Sequence, residues 1–233
     1  MVVAQICLGL VLLSGAGLLI ASFLHLEHRD LGFRPDHLLT FNISVPGLYS
    51  NTRQQIAFSA RLLRRLGTIP GVVSVATGEP IPLLHRTAAG FDIEERPKPQ
   101  WEWPVSDMAR VTPGYFATMG IPVLRGRVFT ERDNADAPPV LVVNQAFADK
   151  FFPGENAIEK RIKPGATNGG PMVFREIVGV VGNAKQSPLS PEPDPIYYFP
   201  RIKIGSRIKI GSKGTEHSFH QFLRATRTLL NCG

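Results

Sequence analysis

From Ile6 to Leu24 the chain reads ICLGLVLLSGAGLLIASFL, nineteen residues without a charge. As a helix this run spans about 28 Å, close to the roughly 30 Å of a bilayer's hydrocarbon core. Eleven of the nineteen are Leu, Ile, Val or Phe, and no polar face interrupts them, unlike the one-sided pattern of a core helix. A signal peptide would carry a basic leading region and a small-x-small cleavage site, and neither is clear here. Residues 1–26 are therefore read as one transmembrane helix. Gly17 and Ala21 form a small-xxx-small pair suited to packing on another helix. No Lys or Arg precedes the run, and Glu27, Arg29 and Asp30 follow with mixed sign, so charge does not set its orientation.

Past Asp30 the pattern changes. Leu38 to Val45 alternates in its second half and predicts a strand. Asn51 is placed to cap a helix running to Leu66, with Ile56, Ala60, Leu63 and Leu66 on one face and Arg61, Arg64 and Arg65 in water. Gly67 ends it, Pro70-Gly71 turns the chain, and Val72 to Ala76 is the next strand, which makes a βαβ-type unit. A Pro-rich loop follows (Pro80 to Pro104). Strands are then predicted at Val105–Val111, Val140–Val143, Phe174–Gly182 and Ile196–Phe199. Short helices are predicted at Pro113–Met119 and from the cap Asn144 to Phe152. The fold class is α+β: an N-terminal membrane helix, then a mixed extracytoplasmic domain built from βαβ-type units over residues 36–200.

Composition refines this division. All twenty prolines lie between Pro35 and Pro200, so the membrane segment, the body and the last stretch differ in kind. The net charge of +7 invites a nucleic-acid reading, but residues 201–233 hold seven Lys/Arg against one Glu. Residues 1–200 hold nineteen against eighteen, and no basic stripe with interleaved aromatics appears there. No nucleic-acid partner is expected. Cys7 lies in the apolar run and Cys232 beside the C-terminus, with no CxxC or Cys/His metal spacing.

No motif that carries chemistry survives inspection. GVVGNAK and IGSRIKIGSKG lack the GxxxxGK[ST] spacing of a phosphate loop. Asp92, Glu94 and Glu95 are close in sequence, but FDIEERPKP alternates like a solvated strand edge. His217 and His220 have HxxH spacing without a third ligand. His25, His28 and His37 flank the end of the membrane helix and mark its interface. GxSxG, HExxH and a cysteine nucleophile with a base are absent from the sequence. The expectation is no catalytic residues, no cofactor and no metal, and hence no enzyme.

The stretch GYFATMGIPVLRGRVFTERD, Gly114 to Asp133, reads as shape-setting throughout. Gly120 ends a helix in the left-handed region and Pro122 forces an extended path. Gly126 turns the backbone between Arg125 and Arg127, which can snorkel over apolar surface. Thr130 and Asp133 form a capping pair. VTPGYFATMGIPVLRGRVFTERD resembles the signature of the MacB-like periplasmic core domain of macrolide-exporter-type ABC transporter permeases. The segments LVLLSGAGLLIASFLHL and DLGFRPDHLLTFNISVP are similar to the membrane helix and entry strand of that family's large two-domain branch. FSARLLRRLGTIPGVVSVA, PPVLVVNQAFADKFFPGENAIEKRI and REIVGVVGNAKQSPLSPEPDPIYYFP follow in family order, from about Val2 to Pro200. Ala157 and Glu159 stand where the pattern has Pro and Gly.

The resemblance implies a non-catalytic domain held on membrane helices. It also implies a separate cytoplasmic ATPase and further permease helices as partners, a homodimeric intact assembly, and a bulk outside the inner membrane. There it would pass on the ATPase's motion to efflux or signalling. A free-standing anchored binding module is the alternative, and an anchored hydrolase would need a nucleophile and base from distant loops. After Pro200 the resemblance stops: RIKIGS occurs at Arg201–Ser206 and again at Arg207–Ser212. The duplication points to slippage, a frameshift or a truncated gene, with a β-hairpin extension as the other reading. Residues 201–233 are thus expected to be an atypical basic tail, the least ordered part, contributing little to stability. Phe219 to Leu230 has the pattern of a short basic amphipathic helix.

Overall fold

The computed structural model describes residues 2–27, 32–33, 38–44, 52–80, 86–134, 136–165, 172–185, 192–200 and 207–214. The chain divides into two units, Met1–Leu31 and Gly32–Gly233. The first holds helix α1, Val2–Glu27, which extends the predicted apolar run by several residues at each end. It is the only described helix long and apolar enough to cross a membrane, and its described side chains are all exposed, Leu18 and Leu19 by almost three quarters. So much bare aliphatic surface asks for a lipid or protein covering.

The second unit is a ten-stranded sheet with short helices among the described residues. Its strands are β1 (Leu38–Ser44), β2 (Val72–Glu79), β3 (Ala88–Ile93), β4 (Val105–Val111) and β5 (Val123–Gly126). The remaining five are β6 (Val140–Asn144), β7 (Arg161–Pro164), β8 (Arg175–Val181), β9 (Ile196–Pro200) and β10 (Arg207–Gly214). The α-helices are α2 (Thr52–Gly67), α3 (Tyr115–Met119) and α4 (Gln145–Phe151). Six strands pair in a closed circuit, β4–β3–β7–β8–β6–β9 and back to β4. Two strands of the circuit share an edge between partners. β4 gives its first half to β3 and its end to β2, and β8 gives its start to β7 and its end to β5.

Why β6 and β9 read as unbroken apolar runs follows from this circuit. Both are buried along their whole length, because successive side chains of a strand point to opposite faces and both faces are covered. Val140, Val142, Ile196 and Tyr198 join one core cluster with Tyr115, Phe116 and Met119 of α3. Leu141, Val143, Tyr197 and Phe199 join the other with Phe147 and Ala148 of α4. Asn144 caps α4 as its position predicts, its Oδ1 accepting from Phe147 N at 2.9 Å.

Several elements depart from the sequence reading. On α2 the buried leucines are Leu62 and Leu66, while Leu63 is half-buried. A strand, β3, lies inside the Pro-rich loop, and β7 follows α4 where no strand is predicted. Most consequential is β10. The second RIKIGS copy, placed by the sequence in a tail outside the domain, pairs antiparallel with β1 over Leu38↔Lys213 to Ser44↔Arg207 and on its other edge with β2. β1 and β2 are therefore parallel strands joined by α2, with β10 between them. The unit is a split βαβ, which a strand arriving late in sequence completes. The rest of the predicted tail, including Phe219–Leu230, lies outside the described residues.

Candidate functional site

The Gly114–Asp133 stretch builds a corner in which Arg125, Arg127 and Asp133 are answered locally, while the buried Thr118 hydroxyl has no hydrogen-bond partner. Gly120 caps α3 at φ 68 in the left-handed region, as its position predicts. Gly126 (φ 67) then brings the chain against β8, where Arg127 N donates to Val178 O at 2.9 Å. A Cβ on Gly179 would fall on the Arg127 carbonyl oxygen, so this approach needs a glycine there. Arg127 does not snorkel: its guanidinium makes a bidentate pair with Asp133, both contacts at 2.8 Å. Thr130 N and Oγ1 also donate to Asp133, and Asp133 N returns a bond to Thr130 O. Arg127's hydrogen bonds, with the Thr130 donors, hold the Asp133 carboxyl below the usual carboxylate range. Arg125 instead reaches Gln145 at 3.4 Å.

A second polar cluster was invisible in the sequence. Arg86 contacts two carboxylates, Asp107 at 3.0 Å and Asp194 at 3.3 Å. Asp107 is 4% exposed, and its Oδ2 meets Arg86 without hydrogen-bond alignment. Burial therefore dominates and raises the Asp107 carboxyl, although Arg86 pulls the other way. Asp194 O accepts from Asn144 Nδ2, and Asn144 Oδ1 also accepts from Ile196 N. Ser106 Oγ and Asp107 N both donate to Pro195 O. The cluster thus ties β4, the entry to β9 and the cap of α4 into one polar seam.

Both clusters are made of side chains that answer one another. Tyr115, Tyr197 and Tyr198 are raised by burial, which keeps their phenols neutral. Among the described residues no three His, Cys, Asp or Glu approach as a metal site would. Of the carboxylates singled out in the sequence, Glu94 pairs with Arg161 and Glu95 with Lys160 at an exposed edge. Asp92 does not fit the solvated-edge reading. It is buried, accepts from Lys98 N at 3.0 Å and faces Lys163 at 3.2 Å. The side chains of His25, His28, His37, His217 and His220 lie outside the described residues. Glu159 stands at φ 72, the one described non-glycine residue in the left-handed region.

The sequence profile of the MacB-like periplasmic core domain matches residues 3–225, nearly the whole chain. The chain belongs to that family. Its fold matches the periplasmic region of MacB from Actinobacillus actinomycetemcomitans with a TM-score of 0.56 at 14% identity, covering 89% of this chain and 90% of that one. The extracellular domain of the noncanonic ABC-type transporter YknZ from Gram-positive bacteria aligns at a TM-score of 0.49 and 14% identity, over 79% and 88% of the two chains. No curated protein sequence matches the chain. The family match extends beyond Pro200, where the sequence resemblance was placed to stop, and takes in β10.

Proposed function

We propose that this MacB-like periplasmic core domain is the non-catalytic, membrane-anchored outer part of an ABC permease. In this reading it passes on motion driven by a separate cytoplasmic ATPase to efflux or signalling outside the inner membrane. The observation that carries the reading is the family match over residues 3–225 together with a bare apolar helix at its start. The closed strand circuit favours it too. A lever must move as one body, and six strands paired in a circuit with both faces of β6 and β9 buried resist internal deformation. The partners of this reading are the membrane, an ATPase subunit, further permease helices and a second copy of the domain.

The test is topology. In a Cys7→Ser, Cys232→Ser background, Trp101→Cys puts a thiol at a position that is 84% exposed. A membrane-impermeant maleimide should label it on spheroplasts without lysis, and the chain should stay with the membrane after carbonate extraction. Labelling only after lysis, or release of the intact chain by carbonate, would sink the proposal.

A further inference from the structure

The positive charge that composition assigns to a C-terminal tail gathers, in the fold, on one lobe. That lobe is the split βαβ of β1, α2, β2 and β10. Residues 37–78 contain no Asp or Glu, and neither does β10. Seven Lys and Arg fall in these two stretches, four of them on α2. The whole chain has 26 Lys/Arg and 19 Asp/Glu, so outside the lobe the two signs balance at nineteen each. Glu79, the last residue of β2, is the lobe's first acid and stands across from Arg110 of β4.

Register places part of this charge at one end. β10 runs against both β1 and β2, with Lys213 opposite Leu38 and Gly214 opposite Val72. α2 returns the chain from the far end, so its last turn, with Arg64 and Arg65, lies beside the start of β2. Arg61, Arg64 and Arg65 are exposed, and among the described residues no carboxylate pairs with any of them. In the body Arg86, Arg96, Arg127 and Arg161 each have one. A helix C-terminus favours cations in its last turn. Arg61, however, stands three and four residues before Arg64 and Arg65, spacings at which like charges on a helix repel. Val73, at the same end, is 80% exposed.

This is also the end at which the chain arrives from its membrane helix. Ten residues separate Glu27, the last of α1, from Leu38, a reach of at most about 40 Å. That linker is neutral, with Arg29 and Arg34 against Asp30 and Asp36. A tether of this length makes docking intramolecular, so a weak attraction per charge is enough.

We infer that the start of this lobe, with Arg61, Arg64 and Arg65, docks on the anionic phospholipid headgroups of the bilayer that holds α1. The inference rests on α1 spanning that bilayer and goes beyond it by giving the lobe a lipid partner. Each Lys or Arg near such a surface raises the docked-to-undocked ratio roughly fivefold.

The test uses the full chain with Cys7→Ser, Cys232→Ser and a dye-labelled Val73→Cys, placed in nanodiscs of phosphatidylcholine alone or of an equal mixture with phosphatidylglycerol. A spin-labelled headgroup should quench the dye strongly in the mixed discs and weakly in the neutral ones, and raised salt should relieve the quenching. Arg61→Gln, Arg64→Gln and Arg65→Gln together should lower the docked-to-undocked ratio on the order of a hundredfold without lowering the melting midpoint. The three Lys replacements keep the charge and should keep the quenching. Equal quenching in both discs, or quenching that survives the triple Gln change, overturns the inference. A dye that ignores phosphatidylglycerol but responds saturably to soluble polyglutamate overturns it in favour of an acidic protein partner. A chain that does not enter the discs removes the anchor and this inference together; entry without charge-dependent quenching removes the inference alone.

Discussion

Asp133 and Asp107 are both nearly buried aspartates facing an arginine, yet their environments act on them in opposite directions. Asp133 sits at 6% exposure with two aligned bonds from Arg127 and two from Thr130, and its carboxyl is held down. Asp107 sits at 4% exposure with one long hydrogen bond, 3.4 Å from Nε of an arginine shared with Asp194, and burial pushes its carboxyl up. Side-chain exposure and partner type are alike; Asp107 is set in a more enclosed surrounding, and the alignment and exclusivity of its donors differ. A carboxylate is stabilised by the donors aimed at it, and nearness to a cation does not replace them.

The comparison breaks most completely if the backbone that aims Arg127 is displaced. Gly179→Ala places a methyl group on the Arg127 carbonyl, and is expected to cost about 3 kcal/mol, read from urea unfolding. Removing the acceptor is the next largest change. Asp133→Ala leaves Arg127 and Thr130 without their shared partner, with an expected loss of about 2 kcal/mol at neutral pH. The folded-state value of Asp133 is lowered, so its contribution is fully present above the ordinary carboxylate value near 3.9 and disappears as pH falls through the folded value. Parent and variant should therefore converge in acid. A gap that persists unchanged in acid would remove the charge from the explanation.

Glu159→Gly calibrates these effects with a change that touches neither aspartate. It relieves a left-handed conformation in a non-glycine residue and is expected to gain about 1 kcal/mol by the same measurement. The smallest effect belongs to Asp107. Its folded-state value is raised, so ionisation costs stability above that value, and the cost is relieved as pH falls through it towards about 3.9. Asp107→Asn should change neutral stability by under about 1 kcal/mol and flatten this mildly acidic gain. A loss as large as that of Asp133→Ala would erase the distinction between the two sites.

Elements whose cause is local were legible in the sequence. The Asn144 cap, the Gly120 stop and the doubly buried runs of β6 and β9 depend on residues within a few positions of each other. β3, AAGFDI, carries small residues in its first half and so lacks a strand's usual apolar alternation. The Arg86–Asp107–Asp194 cluster joins residues 21 and 108 positions apart, and no spacing rule reaches that far. Even the capping pair was read for its turn and not for Arg127, because the close approach at Gly179 that aims this arginine comes from a strand some fifty residues later.

The place of β10 between β1 and β2 sets a schedule for the molecule. Leu38 pairs with Lys213, so the first strand of the domain waits for its neighbour until 175 further residues have left the ribosome. At roughly 5–20 residues per second that delay is on the order of 9–35 s. The six strands of the circuit run from Ala88 to Pro200, so all of them are made before β10. During that interval β1 and β2 each expose an open edge that recruits any free strand, and nascent chains of the same sequence on one message carry the matching one. Slow translation before Arg207 would lengthen this window, and a holding chaperone would be needed for β1 rather than for the body.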